Sequence, residues 1–480
     1  MTTGAPVDQI PDEANATQVA RPPGRTGTID TEIRTGSPVG ASTSAGPKGA
    51  KPLAVEGFFQ SLAQGLGETY LGAAMVWLGA GGLVLGLVGA LPTAATALSQ
   101  VVAARMAGGV HGARAFIARS WLLQALALAL LGGLALLRAP FAIPLVFGGA
   151  VLSWFAAGLS VPSWTGLVSR VVPRERNGWF FGLRGAVQQV GVVSAILGGG
   201  AILSLAEREG RVGLGFVVVF GLAGLFRAIG SGFLLAVPER GRPRRGTPLR
   251  AIGTVLRGSR KFRRLAIYLW AFHFAAWVAA PFFLPYMLRE LRFSYGQVGL
   301  LVAVPAIVKS MTMRRWGTLA DRIGPGPLLR GIGWFVLPVS SLWLISGEFW
   351  WIALAQFYAG LAWGGFELAQ ASALLQTTRG REDTVAFFNL VDGSAMILGS
   401  VVGGLTVTFA GRYLGVGFLA AIAASTVLRA LVNLSLLRRV RRIGRPEWSH
   451  RAIPLRLWGV RASRGATFRP WGGLPPAADE

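Results

Sequence analysis

The chain has 480 residues, of which 52% are hydrophobic and only 14% are charged, and the charges stand in short blocks between long apolar stretches. Because those stretches repeatedly reach about 20 residues, enough to cross a hydrocarbon core of roughly 30 Å, a soluble globular protein is excluded. The net charge of +26 does not indicate nucleic-acid binding, since most arginines lie between apolar stretches, and without cysteine neither a disulfide framework nor a thiolate metal site is possible.

The opening segment is rich in Thr, Ser, Gly, Pro and Ala, which predicts a disordered cytoplasmic tail over residues 1–55. It shows no basic-then-apolar signal peptide, so the first apolar helix is expected to direct insertion. Twelve membrane-spanning helices are then predicted from the apolar stretches. The predicted spans are 57–78, 82–103, 116–137, 141–168, 178–205, 212–236, 265–288, 295–313, 327–344, 349–375, 385–409 and 413–437.

These spans fall into two sets of six and predict an all-α membrane protein. We expect an N-terminal six-helix bundle over 56–237, a basic linker over 238–264, a C-terminal six-helix bundle over 265–438 and a basic tail over 439–480. Positively charged segments are retained on the cytoplasmic side of a membrane. Since most of the 47 Lys and Arg fall in the tails, the linker and the loops on that same side, both termini are predicted to be cytoplasmic in a multi-pass cell-membrane protein.

A short internal repeat marks the start of the fifth and eleventh helices. Arg174-Glu175 precedes the run 180–183, Phe-Phe-Gly-Leu, and Arg381-Glu382 precedes the run 387–390, Phe-Phe-Asn-Leu, with the same gap. The offset is about half of the apolar region. Two duplicated halves related by an axis along the membrane normal would give this spacing.

The segment between the eighth and ninth helices carries a recognisable motif. Residues 316–324 read Trp-Gly-Thr-Leu-Ala-Asp-Arg-Ile-Gly and follow two further arginines. As a cytoplasmic loop, it would use Gly317 for close helix approach, Asp321 to cap a helix or pair with a base, and Arg322 to hold the loop at the membrane face, with Gly324 ending the motif.

This motif, at this position in a twelve-span chain with two halves, resembles the signature loop of the major facilitator superfamily. The resemblance covers about residues 57–437. It implies a two-bundle fold, secondary transport of a small solute by alternating access, and a conformational latch formed by Gly317, Asp321, Arg322 and Gly324.

Two departures from the family pattern qualify the resemblance. The equivalent loop of the first half, 104–116, has no acidic residue, so an asymmetric latch is expected. In the fifth helix, the run 191–200 ends in three glycines but lacks the Gly-Pro of the drug-antiporter signature. That absence weakens a multidrug-antiporter interpretation without excluding it.

Ionisable groups inside membrane helices are costly, which makes each of them a functional candidate. Gln60, Gln64 and Glu68 repeat every four residues along one face of the first helix. Trp363 and Glu367 share a face of the tenth helix, and the resemblance implies that both helices line the transport cavity. We expect Glu68 or Glu367 to bind substrate or carry a proton, with a structural hydrogen bond between helices as the alternative.

Aromatic residues supply further substrate-contact candidates. His273 and Trp277 share a stripe of the seventh helix, where Pro281 and Pro285 are expected to break or bend it. Trp154 in the fourth helix could stack on a substrate ring. For these residues, ordinary packing is the alternative.

Three polar residues near the predicted cytoplasmic ends of the fifth and eleventh helices are candidates for a gate. Arg184 occupies the fifth helix, and Asn389 and Asp392 the eleventh. A charge pair that gates the inner mouth and a structural clamp are equally compatible with this pattern. Lys309, near a helix end, is interpreted as a structural residue that snorkels.

Neither a phosphate-binding loop, nor a metal-ligand cluster, nor a catalytic constellation is present in the sequence, so no enzyme, metal or cofactor is predicted. We therefore expect a monomeric secondary transporter, coupled to protons, whose partners are a small molecule and membrane lipids and not nucleic acid. The alternative is a transport-inactive relative that acts as a membrane assembly factor or sensor.

Overall fold

A computed structural model describes residues 50–106, 112–137, 141–172, 177–237, 260–378 and 382–440. Within these ranges every regular element is helical. Residues 1–49, most of the predicted linker and the tail from 441 lie outside the described residues, as do 107–111 of the first-half loop. The predicted tail was too long at its end, because the first helix already begins at Ala50.

Twelve long helices account for the described residues. They are α1 Ala50–Trp77, α2 Gly82–Met106, α3 Ala113–Ala135, α4 Ala142–Val171, α5 Asn177–Arg208, α6 Val212–Leu235, α7 Arg260–Arg289, α8 Tyr295–Ile323, α9 Pro325–Leu344, α10 Phe349–Thr378, α11 Glu382–Leu414 and α12 Gly417–Leu436. By length and composition, ten are apolar enough to cross a membrane. The other two, α1 and α10, are as long, at 28 and 30 residues, and carry the predicted polar faces.

Proline interrupts two of these helices. In α7 the α-helix stops at Trp277, a 3₁₀ turn follows over Ala280–Phe282, and a short α-helix closes it over Phe283–Arg289. The predicted break at Pro281 is therefore present. Helix α9 is interrupted in the same way before Pro338. In both cases the ring removes a backbone donor and fixes φ, which prevents continuous α-helical bonding.

The helices pack mainly within two halves, α1–α6 and α7–α12. The most extensive contacts between the halves are those of α2 with α11 and of α5 with α8, and the last part of α7 also contacts α1 and α2. We call the end at which the odd-numbered helices finish the closed end, and the opposite end the open end. At the closed end one apolar core draws buried residues from both halves, including Leu85, Phe216, Phe282 and Tyr295. At the open end each half has a core of its own.

Glycines allow the two halves to touch along their backbones at the closed end. A methyl group on Gly200 of α5 would lie 3.2 Å from the Cα of Gly299 of α8. One on Gly404 of α11 would lie 2.8 Å from the Cα of Leu83 of α2, and one on Gly86 would lie 2.5 Å from the carbonyl oxygen of Ser400. We call these contacts the glycine seams. They hold the halves together where the side chains of larger residues would keep them apart.

A matching feature in each half supports the internal repeat. Arg227 of α6 and Arg429 of α12 are both buried, at 3% and 1% exposure, near the middle of the last helix of their half. Arg227 donates from Nε to Gln124 of α3 over 2.6 Å, and Arg429 donates to Val336 and Ser340 around α9. In both halves, the sixth helix thus bonds to the third.

Candidate functional site

A cavity of about 660 Å³ lies between the two halves. Its walls come from α1 to α6 on one side and from α11 on the other. It extends from the middle of α1 towards the open end, where the apolar cores of the two halves are separate. A volume of this size accommodates a drug-sized molecule.

The predicted polar face of α1 lines this cavity. Gln60, Gln64 and Glu68 all contribute to the wall, and Gln64 donates from Nε2 to Oε2 of Glu68 over 3.0 Å. The side chain of Glu68 is exposed to the cavity, and among the described residues no Lys, Arg or His forms an ion pair with it. An unpaired carboxylate at this depth is available to a cation or a proton from the cavity.

Arg184 is the centre of a buried polar cluster that the sequence did not predict. Its NH2 lies 2.9 Å from Oε2 of Glu56 and 2.8 Å from Oε1 of Gln60, and its NH1 donates to Gln188 over 3.0 Å. Glu56 is fully buried. Gly57 makes room for this cluster, since a methyl group there would lie 2.9 Å from Nε of Arg184.

Two tryptophans on the cavity wall are covered by these buried arginines. The guanidinium of Arg184 lies 4.5 Å from the ring centre of Trp164, and that of Arg227 lies 4.2 Å from Trp121. Their faces are therefore already in cation–π contact. Trp154, the third lining tryptophan, has no such partner among the described residues.

The three predicted gate residues line the cavity but do not pair with one another. Asp392 of α11 forms a 2.5 Å contact from Oδ1 to Nδ1 of His273 on α7, and both side chains are buried. The edge of the His273 ring meets Phe366. Arg184 takes Glu56 as its carboxylate partner, and Asn389 is exposed. Arg184 and Asp392 thus each have a partner within their own half, so the gate remains a hypothesis.

The candidates on α10 lie elsewhere. Glu367 forms an ion pair with Lys309 of α8, with 47% and 35% of the two side chains exposed, and neither residue lines the cavity. Trp363 packs edge-on against Phe366. The snorkelling interpretation of Lys309 missed this pair, because helical spacing places residues on a common face without showing which neighbouring helix that face meets.

The motif 316–324 is helical where a loop was predicted. Helix α8 continues to Ile323, and Gly324 alone makes the turn into α9, with φ of 83° and ψ of 155°. A methyl group on Gly317 would have no neighbour within 4 Å, so the expected close approach there is absent. The close contact belongs instead to Gly365 of α10, which meets the ring of Trp316. Asp321 and Arg322 are exposed.

A second, smaller cavity of about 300 Å³ lies beside the first. Helices α1, α2, α4 and α7 form its walls. Trp277 lines it, and Glu68, Thr93 and Trp154 line both cavities. Glu68 therefore stands where the two spaces meet.

Comparison with known proteins shows which other proteins have a similar sequence or fold. No family model matches the chain. It is 28% identical over 215 residues to the multidrug resistance protein MdtG of Escherichia fergusonii, covering 42% of the chain and 50% of the relative. MdtG of Serratia proteamaculans is 28% identical over 229 residues, covering 45% and 52%. The chain thus spans about half the length of the curated relatives it matches.

Solved transporters share the whole fold at low sequence identity. A bacterial homologue of the human lysosomal transporter Spinster, in an inward-facing and occupied conformation, superimposes with a TM-score of 0.64 at 16% identity, covering 83% of this chain and 98% of that one. The nucleoside transporter NupG gives 0.60 at 16% identity, covering 82% and 98%. The chain is therefore a multi-pass, all-α membrane protein with the fold of these solved transporters, as the resemblance to the major facilitator superfamily implied.

Proposed function

We propose that the chain is a secondary transporter that moves an amphipathic organic cation by alternating access, with proton coupling at Glu68. One observation carries the proposal: among the described residues, a carboxylate without a basic partner faces a cavity between two halves that share an apolar core at one end and have separate cores at the other. In a low-dielectric cavity such a group binds either a proton or a cation, and that competition couples the two fluxes.

The remaining charges of the cavity favour a cationic substrate. Arg184 pairs with Glu56, and Asp392 pairs with His273. Arg227 also lines the cavity, but it is buried, donates to Gln124 and is covered by Trp121. Among the described residues this leaves Glu68 as the exposed lining carboxylate without an ion pair. Trp154 lines the same wall and can contribute a cation–π contact of about 0.5–2 kcal/mol. The name of MdtG, a multidrug resistance protein, supports this class of substrate even though the Gly-Pro of the drug-antiporter signature is missing.

The test is proton flux triggered by organic cations in proteoliposomes. Glu68→Gln is expected to abolish that flux, because the amide neither binds a proton nor attracts a cation. Glu367→Gln is the matched control and is expected to retain it, since Glu367 pairs with Lys309 outside the cavity. Loss of flux in the control with retention in Glu68→Gln would contradict the proposal.

We also propose that this monomeric protein lies in the cell membrane with both termini cytoplasmic, so that the open end faces the cytoplasm. The chain has no native cysteine, which makes single-cysteine labelling unambiguous. A cysteine replacing the exposed Glu290, after α7, should react with an impermeant maleimide in intact cells. One replacing the exposed Arg315 should react only after permeabilisation, and the reverse pattern would overturn this orientation.

A further inference from the structure

The smaller cavity is lined by fewer polar side chains than the larger one. Most of its lining residues are apolar, and Leu71, Leu85, Val88, Pro92, Leu284 and Pro285 contribute from three helices. The polar exceptions are Glu68, Thr69 and Thr93. The hydroxyl of Thr93 donates to the carbonyl of Gly89 over 3.1 Å, so it already has a partner.

We propose that this small cavity is a binding subsite for the hydrocarbon arm of the transported cation, whose charged nitrogen lies at Glu68. The inference rests on the proposed function and adds the shape of the substrate: a compact cationic head with an apolar chain at least several carbons long. It follows from the placement of Glu68 and Trp154, which border both cavities and so can hold the head while the chain extends into the apolar space.

Gly72 provides the means to test the subsite. It lies one helical turn beyond Glu68 on the same face of α1 and lines the small cavity but not the large one. A methyl group there would meet only Cδ2 of Leu284, at 3.6 Å, an ordinary contact. Position 72 therefore accepts a side chain, and that side chain would occupy the space proposed for the substrate chain.

The experiment measures the Kd of n-alkyltrimethylammonium ions of increasing chain length for the full chain in lipid nanodiscs. Each methylene that enters the subsite should lower Kd about three- to fourfold, until the space is full. Gly72→Leu should end this gain at a shorter chain, with Gly72→Ala intermediate, while all three proteins bind tetramethylammonium equally. Gly133→Leu, at an exposed α3 position without a neighbour within 4 Å, is the matched control and should behave as the parent.

The alternative source of a chain-length effect is partition into the bilayer, and the variants separate the two. If Kd falls equally with chain length in the parent, Gly72→Leu and Gly133→Leu, the lipid accounts for the gain and the subsite is refuted. That result leaves the proposed function standing when tetramethylammonium binding is lost in Glu68→Gln. If tetramethylammonium binding survives Glu68→Gln while Gly72→Leu still shortens the series, the subsite stands and the cation site at Glu68 fails. Absence of binding for every member would overturn both.

Discussion

Replacing Arg184 with methionine should destabilise the fold by about 3–5 kcal/mol, because it leaves the fully buried Glu56 without its counter-ion. The change also removes the hydrogen bonds to Gln60 and Gln188 and the contact with Trp164. Those losses are smaller, since Gln60 lines the cavity and can bond to water there. The uncompensated carboxylate therefore dominates the expected change.

The stability of a double variant, compared with that of Arg184→Met, tests this reasoning directly. Glu56→Met/Arg184→Met removes the buried carboxylate together with its ion-pair partner, so it should be more stable than Arg184→Met alone despite carrying one more substitution. Lys309→Met is the matched control. Because Lys309 and Glu367 remain 35% and 47% exposed, breaking their pair should cost about 1 kcal/mol or less.

The assay is reversible unfolding in mixed micelles, with tryptophan fluorescence reporting the folded fraction. The parent protein, Arg184→Met, Lys309→Met and the double variant Glu56→Met/Arg184→Met are compared under the same conditions. A double variant that is less stable than Arg184→Met would refute the argument, since it would show that the two side chains contribute independently. If Lys309→Met loses as much stability as Arg184→Met, burial does not determine the free-energy cost of breaking an ion pair in this protein.

Three further predictions use the same unfolding assay or simple cross-linking. Gly324→Ala should cost about 1–3 kcal/mol, because its φ of 83° and ψ of 155° suit only glycine, whereas helical Gly317→Ala should be neutral or stabilising by up to about 1 kcal/mol. Cysteines replacing Ser204 and Gly296 should form a disulfide on oxidation, because a Cβ at 296 would lie 3.3 Å from that of Ser204. Transport should then stop until the bond is reduced. Continued transport in the cross-linked protein would contradict alternating access. Tyr70→Phe should cost about 1–3 kcal/mol, because it removes a buried hydrogen bond to a carbonyl of α5, and an unchanged stability would show that this carbonyl finds another donor.

Apolar length and proline were sufficient to predict most of the fold. Twelve stretches of about 20 residues predicted the twelve helices, and Pro281 predicted the break in α7, because both depend on local chemistry. The motif 316–324 was assigned to a loop because it is polar. Yet a helix can continue beyond its apolar stretch, since its backbone groups bond to one another wherever it runs.

The candidate site was only partly predictable, because ion pairing depends on which helices become neighbours. The face that carries Gln60, Gln64 and Glu68 was found from a spacing of four within one helix. Glu56 was missed because it lies just before the apolar stretch and its partner Arg184 is 128 positions away. Glu367 satisfied the same spacing rule, but its neighbour in space is Lys309, which spacing within α10 could not reveal.

The glycine seams affect how easily the two halves can separate at the closed end. Glycine has no side-chain rotamers to lose, so bringing two such backbones together carries no side-chain entropy cost, and separating them disengages no interlocked side chains at those positions. At the seams themselves the two halves can therefore separate without repacking side chains, whereas the apolar core that they share at the same end must come apart. A ligand that prefers one conformation by about 5.5 kcal/mol is enough to reverse a 1:99 population of two conformations.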